Sequence, residues 1–393
     1  MATSVRTSDT LLEVKHINVD YLAANGTVHA VNKVSFKLGR GEILGLAGES
    51  GSGKSTLAYA IARLLRPPAE ITGGEVLYYP RLHEGKEGQS LVTTTDFARG
   101  AKRGSAKASE NGHENEVIDV LQLTPAELRA FRWNELSIVF QSAMNALNPV
   151  MKIGTQITDV LQTHRPDLGP DSRKQRAAEL LRLVGISPDR LNSYPHELSG
   201  GMRQRAIIAI ALALRPEMII MDEPTTALDV VVQREILELV SGLCREFGMT
   251  MIFITHDLSL LLELADRIAI MYAGKLVEMG ASKELLMHPR HPYSYGLLNS
   301  FPTIHGPRRK MSGIPGYPPD LRAVPPGCPF NPRCPLVFGE CHTVVPELRS
   351  ATPENPEQIV ACHLYDPRFH EGIPSTADIA AEYDKLAERS TAR

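Results

Sequence analysis

The chain has 393 residues, 43% hydrophobic and 22% charged, enough for two or three packed domains. Its 42 basic and 45 acidic side chains leave a formal charge of −3, which excludes a globally basic surface, and no nucleic-acid partner is expected. The longest apolar run, Ala206 to Leu214, is far short of the roughly 18–20 residues that cross a bilayer, and the amino terminus has no apolar secretory core, so a cytoplasmic chain is expected.

Taken in order, residues 11 to 20 alternate as an edge strand ending at Tyr21, before a turn at Asn25-Gly26, and Val28 to Leu38 reads as a second strand. An aromatic at Tyr21 has two readings, a ring that stacks on a base or a half-buried strand end. Glu42 to Ala47 is a short apolar run suited to a buried strand, and Leu57 to Leu65 is rich in helix formers. Between them Gly48, Glu49, Ser50, Gly51, Ser52, Gly53, Lys54, Ser55 and Thr56 match G-x-x-x-x-G-K-[ST], a P-loop. The glycines let backbone N–H groups curl round a phosphate, Lys54 brings positive charge to the β- and γ-phosphates, and Ser55 offers a hydroxyl to Mg²⁺.

Gly73 to Tyr78 reads as a strand entered through a turn, and residues from about 81 to 116 have the polar composition of a surface insertion. Thr124-Pro125 begins a capped helix, and Leu136 to Phe140 is a strand closed by Gln141. Helical patterns at Ile153 to Thr163 and Ser172 to Val184 form an insert within an α/β domain. Leu198 to Met202 places Ser199, Gly200 and Gly201 at a helix start that could hold an anion. Met218 to Met221 is a buried parallel strand ending in Asp222-Glu223. Carboxylates there lie at the ligand crevice of an open α/β sheet, where Asp222 could hold Mg²⁺ and Glu223 could deprotonate a water. Ala227-Leu228-Asp229 opens the next helix, Met249 to Thr255 is a strand capped by His256-Asp257, and Arg267 to Met279 is a closing hairpin across Gly274.

The tail is Pro-rich and carries Cys328, Cys334, Cys341 and Cys362 spaced C-x₅-C-x₆-C-x₂₀-C. Four thiolates on a loop-rich scaffold suit either a tetrahedral Zn²⁺ or an iron–sulfur cluster, and the spacing leaves both open. His342 and His363 are neighbours of these cysteines, and Cys244 reads as buried and inert.

From about Leu11 to His288 these motifs, in this order, resemble the ATP-binding cassette (ABC) ATPases. The resemblance implies an α/β P-loop fold with a helical subdomain at about 142–215 and ATP hydrolysis with Mg²⁺ bound by Ser55, Gln141 and Asp222. It makes Tyr21 the adenine-stacking aromatic, Gln141 the Q-loop residue, Glu223 the catalytic base, Asp229 the end of the D-loop and His256 the switch histidine. Leu198 to Met202 is similar to the signature, ending in Met where Gln is common. On this resemblance Ser199 and Gly201 serve a nucleotide held by an opposite subunit.

The stretch His288 to Ser294, with Gly327 to Cys334, Cys341 and Ala361 to Leu364, is further similar to the oligopeptide/dipeptide importer ATPases. It implies a domain over 1–287, a small Cys-rich extension with a flexible tail over 288–393, and a [4Fe-4S] cluster in preference to Zn²⁺. The implied partners are two transmembrane permease subunits, a second and paralogous ATPase, and an extracytoplasmic solute-binding protein, with the chain peripheral on the cytoplasmic membrane face. The cargo class runs from di- and oligopeptides to oligosaccharides and nickel. The competing functions are a soluble ABC ATPase and a metal- or redox-sensing nucleotide switch.

Overall fold

The computed structural model describes residues 10–24, 26–81, 117–141, 143–226, 228–300 and 313–391. Nearly all of the expected insertion, together with Asn25, Ala227 and the first nine residues, lies outside them.

Two long strands, β1 (Thr10–Ala23) and β2 (Gly26–Gly39), lead into β3 (Ile43–Ala47), whose five residues are all buried. Helix α1 (Lys54–Ile61) follows, then β4 (Ala69–Tyr78), β5 (Ile118–Asp119), α2 (Pro125–Asn134) and β6 (Leu136–Val139). Strands β2-β1-β4-β5 make an antiparallel sheet in that order, so β1 is interior and not the edge strand its alternation suggests. Alternation reports that a strand has a buried face; it carries no record of which neighbours pair along its sides. Thr124 caps α2 with the reciprocal bonds of a capping box, Glu127 N to Thr124 Oγ1 at 3.3 Å and Thr124 N to Glu127 Oε2 at 2.7 Å.

Three helices come next, α3 (Ile153–His164), α4 (Pro170–Leu183) and α5 (Gly200–Ala211). Ile153, Ile157 and Leu161 recur every four residues and bury one stripe of α3, and Ala177, Leu180 and Leu181 of α4 join the same core. The chain then returns to the sheet with β7 (Met218–Asp222), α6 (Val230–Phe247), β8 (Thr250–Ile254), α7 (Leu258–Leu264), β9 (Arg267–Tyr272) and β10 (Lys275–Ala281). Strands β9-β3-β8-β7-β6 are parallel neighbours, and β3, β7 and β8 are buried along their whole length, as strands covered on both faces must be.

The last segment comprises α8 (Ser282–Met287), α9 (Pro292–Leu298), β11 (Arg349–Thr352), β12 (Asn355–Val360) and α10 (Thr376–Thr391). Strand β12 pairs with β10 at Glu278↔Val360 and Met279↔Ile359, so the β9–β10 hairpin does not close the sheet; the extension adds two antiparallel strands to its edge. Buried Glu278 ties the join, accepting from Arg290 N (2.8 Å), His291 N (2.8 Å) and Gln358 Nε2 (2.9 Å). The extension ends in α10, whose Ile379 and Tyr383 pack on Tyr295, with Tyr383 Oη donating to the Pro292 carbonyl at 2.8 Å. Ile379 and Tyr383, four apart, supply the buried stripe of this helix.

Candidate functional site

The loop between β3 and α1 is shaped by backbone that only glycine adopts freely. Gly48 and Gly53 have φ of +142° and +100°, and a Cβ on them would lie 2.2 Å from the Met271 carbonyl and 2.3 Å from the Ala30 carbonyl. The loop is therefore seated on β9 and β2 and leads straight into the start of α1. Lys54 is buried, and its Nζ donates to the carbonyls of Gly48 (2.8 Å) and Glu49 (2.9 Å). Burial lowers its pKa, opposed by the nearby charges of Glu223, Asp222 and Glu49.

Asp222, at the C-terminal end of β7, is fully buried, and its Oδ1 accepts from Ser55 Oγ at 2.9 Å. Among the described residues its Oδ2, also buried, has no hydrogen-bond partner of good geometry. Burial raises the pKa of this carboxyl and adjacent Glu223 adds to the rise, against the hydroxyls of Tyr59 and Ser55 and the charge of Lys54. An orphaned carboxylate oxygen beside a serine hydroxyl fits a hard cation that takes one carboxylate, one hydroxyl and phosphate or water oxygens. Tyr59 was not expected here; it lies one helical turn beyond Ser55 on α1, a spacing that puts both on one face.

Glu223 follows β7 with φ of +44°, uncommon for a residue with a side chain, and is held there by its N–H donating to the Ile254 carbonyl at 2.9 Å. Its Oε2 accepts from Gln141 Nε2 and from Thr226 Oγ1, both at 3.1 Å, and lies 3.7 Å from His256 Nδ1. Strand ends at β6, β7 and β8 thus bring Gln141, Glu223 and His256 together, with Lys54, Ser55 and Asp222 beside them. Thr226 is a further member that no motif reading found. Tyr21 stands at the rim, its hydroxyl 3.3 Å from Thr56 Oγ1.

Ser199, Gly200 and Gly201 are not joined to this group by any hydrogen bond among the described residues. Ser199 caps α5, its Oγ accepting from Met202 N at 3.3 Å. Gly201 fits against Val232, whose Cγ1 would be 2.6 Å from a Cβ there. Asp229 caps α6, accepting from Val232 N at 3.0 Å.

The metal expected at Cys328, Cys334, Cys341 and Cys362 is a correction. Among the described residues no three His, Cys, Asp or Glu side chains converge to hold a metal ion, which removes both the [4Fe-4S] cluster and the Zn²⁺ alternative. All four are free thiols, and burial pushes each up, Cys328 to about 11. They pack as small apolar groups instead: Cys328 and Cys341 with Phe330 and Tyr293 in the main core, Cys362 with Val360 and Leu364 in a satellite one. His363 Nε2 hydrogen-bonds the Val344 carbonyl at 2.8 Å. Cys244 is buried at 1% exposure, and burial pushes its thiol up to about 12.

Comparison with known proteins agrees with this architecture. Residues 31–226 match the family model described as ABC transporter, and residues 277–341 that described as oligopeptide/dipeptide transporter, C-terminal region. The chain is 43% identical over 327 residues to the oligopeptide transport ATP-binding protein OppD of Bacillus subtilis, covering 82% of this chain and 81% of that one. It is 38% identical over 364 residues to the OppD of Haemophilus influenzae, covering 92% and 99%. Among solved structures it is similar to the ATP-binding cassette MJ0796, a dimer in a post-hydrolysis state bound to ADP and Pi, with TM-score 0.53 and 26% identity, over 69% of this chain and 99% of that one. With relatives of this identity spanning almost its whole length, the chain belongs to the ATP-binding proteins of the oligopeptide/dipeptide ABC transporter family.

Proposed function

We propose that the chain is the ATP-hydrolysing, energy-coupling subunit of an ABC importer for di- or oligopeptides. The observation that carries the chemistry is the Asp222–Ser55 pair beside Lys54 at the foot of the glycine loop, with one buried Asp222 oxygen unpartnered among the described residues. The relatives' names, oligopeptide and dipeptide transport ATP-binding proteins, support the cargo class.

In this reading the phosphate loop Gly48 to Thr56, through the amides its own bonds leave free, and the Lys54 ammonium bind the phosphates, and Tyr21 stacks on the adenine. Ser55, Gln141 and Asp222 hold Mg²⁺, which when bound neutralises phosphate charge. Glu223 orients and deprotonates the attacking water, and its contacts with Gln141 and Thr226 fix the carboxylate that does so. His256, two-thirds exposed, is free to turn to a γ-phosphate. The reaction asks mainly for positioning and charge stabilisation, which a cluster on three adjacent strand ends provides.

Ser199 and Gly201, unconnected to the chain's own loop, fit a role across a dimer interface, and the dimeric relative is in keeping with it. The second ATPase is read as a paralogue. Among the described residues no helix is long and apolar enough to cross a membrane, so two permease subunits and a solute-binding protein are the remaining parts, with this chain at the cytoplasmic face of the membrane.

The test is reconstitution with the permeases and the partner ATPase in vesicles. Phosphate release should rise several-fold with peptide-loaded binding protein; ATPase indifferent to every di- and oligopeptide offered would overturn the peptide reading. Tyr21→Ala is expected to weaken ATP by about 1–3 kcal/mol, the worth of one base–aromatic stack, with Tyr21→Phe near the parent. Equal affinity of Tyr21→Ala and parent in a nucleotide titration would remove the ring from the site.

A further inference from the structure

The C-terminal extension reaches the phosphate loop itself. Arg333 closes a short 3₁₀ turn, Asn331–Arg333, that Asn331 pins by donating to the carbonyls of Pro326 (2.9 Å) and Cys341 (3.2 Å). From there its guanidinium makes a two-pronged pair with the loop residue Glu49, Nη1 to Oε2 at 2.7 Å and Nη2 to Oε1 at 3.0 Å. The remaining donors go to the carbonyls of Pro315 (2.7 Å) and Gly316 (3.4 Å) and the hydroxyl of Tyr272 (3.3 Å). The guanidinium also lies over the rings of Tyr272 and Phe330, 5.7 and 6.0 Å from their centroids. Its side chain is only 5% exposed, against 25% for Glu49.

A second contact reaches the same loop residue. Tyr293, on α9, accepts from the Glu49 N–H at 2.8 Å and packs against Tyr272 and Phe330 with centroids 4.5 and 5.4 Å away. Glu49 is therefore held at both its backbone and its carboxylate by residues beyond β10. That carboxylate is one of three, with Asp222 and Glu223, whose charge acts on Lys54.

We propose that Arg333 is a positioning residue of the nucleotide site: by neutralising Glu49 and drawing its carboxylate away from Lys54, it keeps a negative charge off the phosphates. The inference rests on the P-loop binding ATP. Without Arg333, Glu49 competes with the β- and γ-phosphates for Lys54 and repels them, whereas an uncharged side chain at position 49 makes Arg333 dispensable. The extension is then part of the nucleotide site as well as an addition to the sheet edge.

The experiment is a double-mutant cycle on MgATP affinity of the full chain, by titration with a fluorescent ATP analogue. Arg333→Ala is expected to raise Kd at least about tenfold, as losing one member of a buried pair does, and Arg333→Lys to raise it less. Glu49→Gln combined with Arg333→Ala should bring Kd back to within about threefold of the parent, a rescue that loss of packing alone does not give. Melting curves exclude from the comparison any variant that fails to fold, and the double variant and Arg333→Lys keep the test decisive if Arg333→Ala is lost. Parent affinity in Arg333→Ala, or an equal loss in single and double variants, overturns the inference. Absence of MgATP binding by the parent chain would instead overturn the nucleotide reading beneath it.

Discussion

Glu223→Gln is expected to abolish turnover while leaving MgATP binding within a few-fold of the parent. The substitution keeps the size of the side chain and its contact with Thr226 while removing the carboxylate proposed to accept a proton from water. General-base catalysis is worth roughly 10²–10⁴-fold, so phosphate release by the assembled transporter should fall at least about a hundredfold. With hydrolysis blocked and binding intact, two cassettes closed on ATP should stay closed, visible as a nucleotide-dependent dimer by gel filtration. Turnover at the parent rate would show that another group is the base. The backbone adds a reason to expect little collateral damage: the φ of +44° at residue 223 is fixed by the N–H bond to Ile254, which the variant retains.

Lys54→Ala should act one step earlier, on binding. The ammonium's present acceptors, the Gly48 and Glu49 carbonyls, lie within the loop and can be exchanged for phosphate oxygens without moving the helix that carries it. Charge-assisted hydrogen bonds contribute about 1.5–3 kcal/mol, so MgATP affinity should drop at least about tenfold. A second consequence follows from burial. Asp222, Glu223 and Glu49 all act on Lys54, and removing it leaves Asp222, fully buried, without its cation. The Asp222 carboxyl should then titrate still higher. Isothermal titration with MgATP checks the first effect; parent affinity in Lys54→Ala would remove the residue from its role.

The candidate cluster is legible in the sequence because its residues sit in short motifs whose chemistry demands them locally. A P-loop needs glycine where φ is positive, and Gly48, Gly51 and Gly53 all have positive φ in the fold. Asp222 and Glu223 could be placed because a buried apolar strand must end at the crevice of a parallel sheet. Tyr59 and Thr226 were passed over because neither belongs to a motif; both are drawn in by helix or turn geometry around a neighbour. The cysteines misled for the opposite reason. A spacing of four thiols is compatible with a metal site, but whether they converge depends on the surrounding core, and among the described residues they form no group that could hold a metal ion.

The sequence by itself determined the P-loop, the order of the strands that end in acids and a histidine, and the helical insert, because hydrophobic period, glycine placement and charged strand ends are local properties. Tertiary structure alone decided three things. It made β1 interior, it attached β11 and β12 to the edge at β10, and it set Arg333 against Glu49, residues 284 positions apart. Strand pairing and a salt bridge between distant segments depend on which surfaces the packed cores leave facing each other, and no local pattern in either segment records its partner.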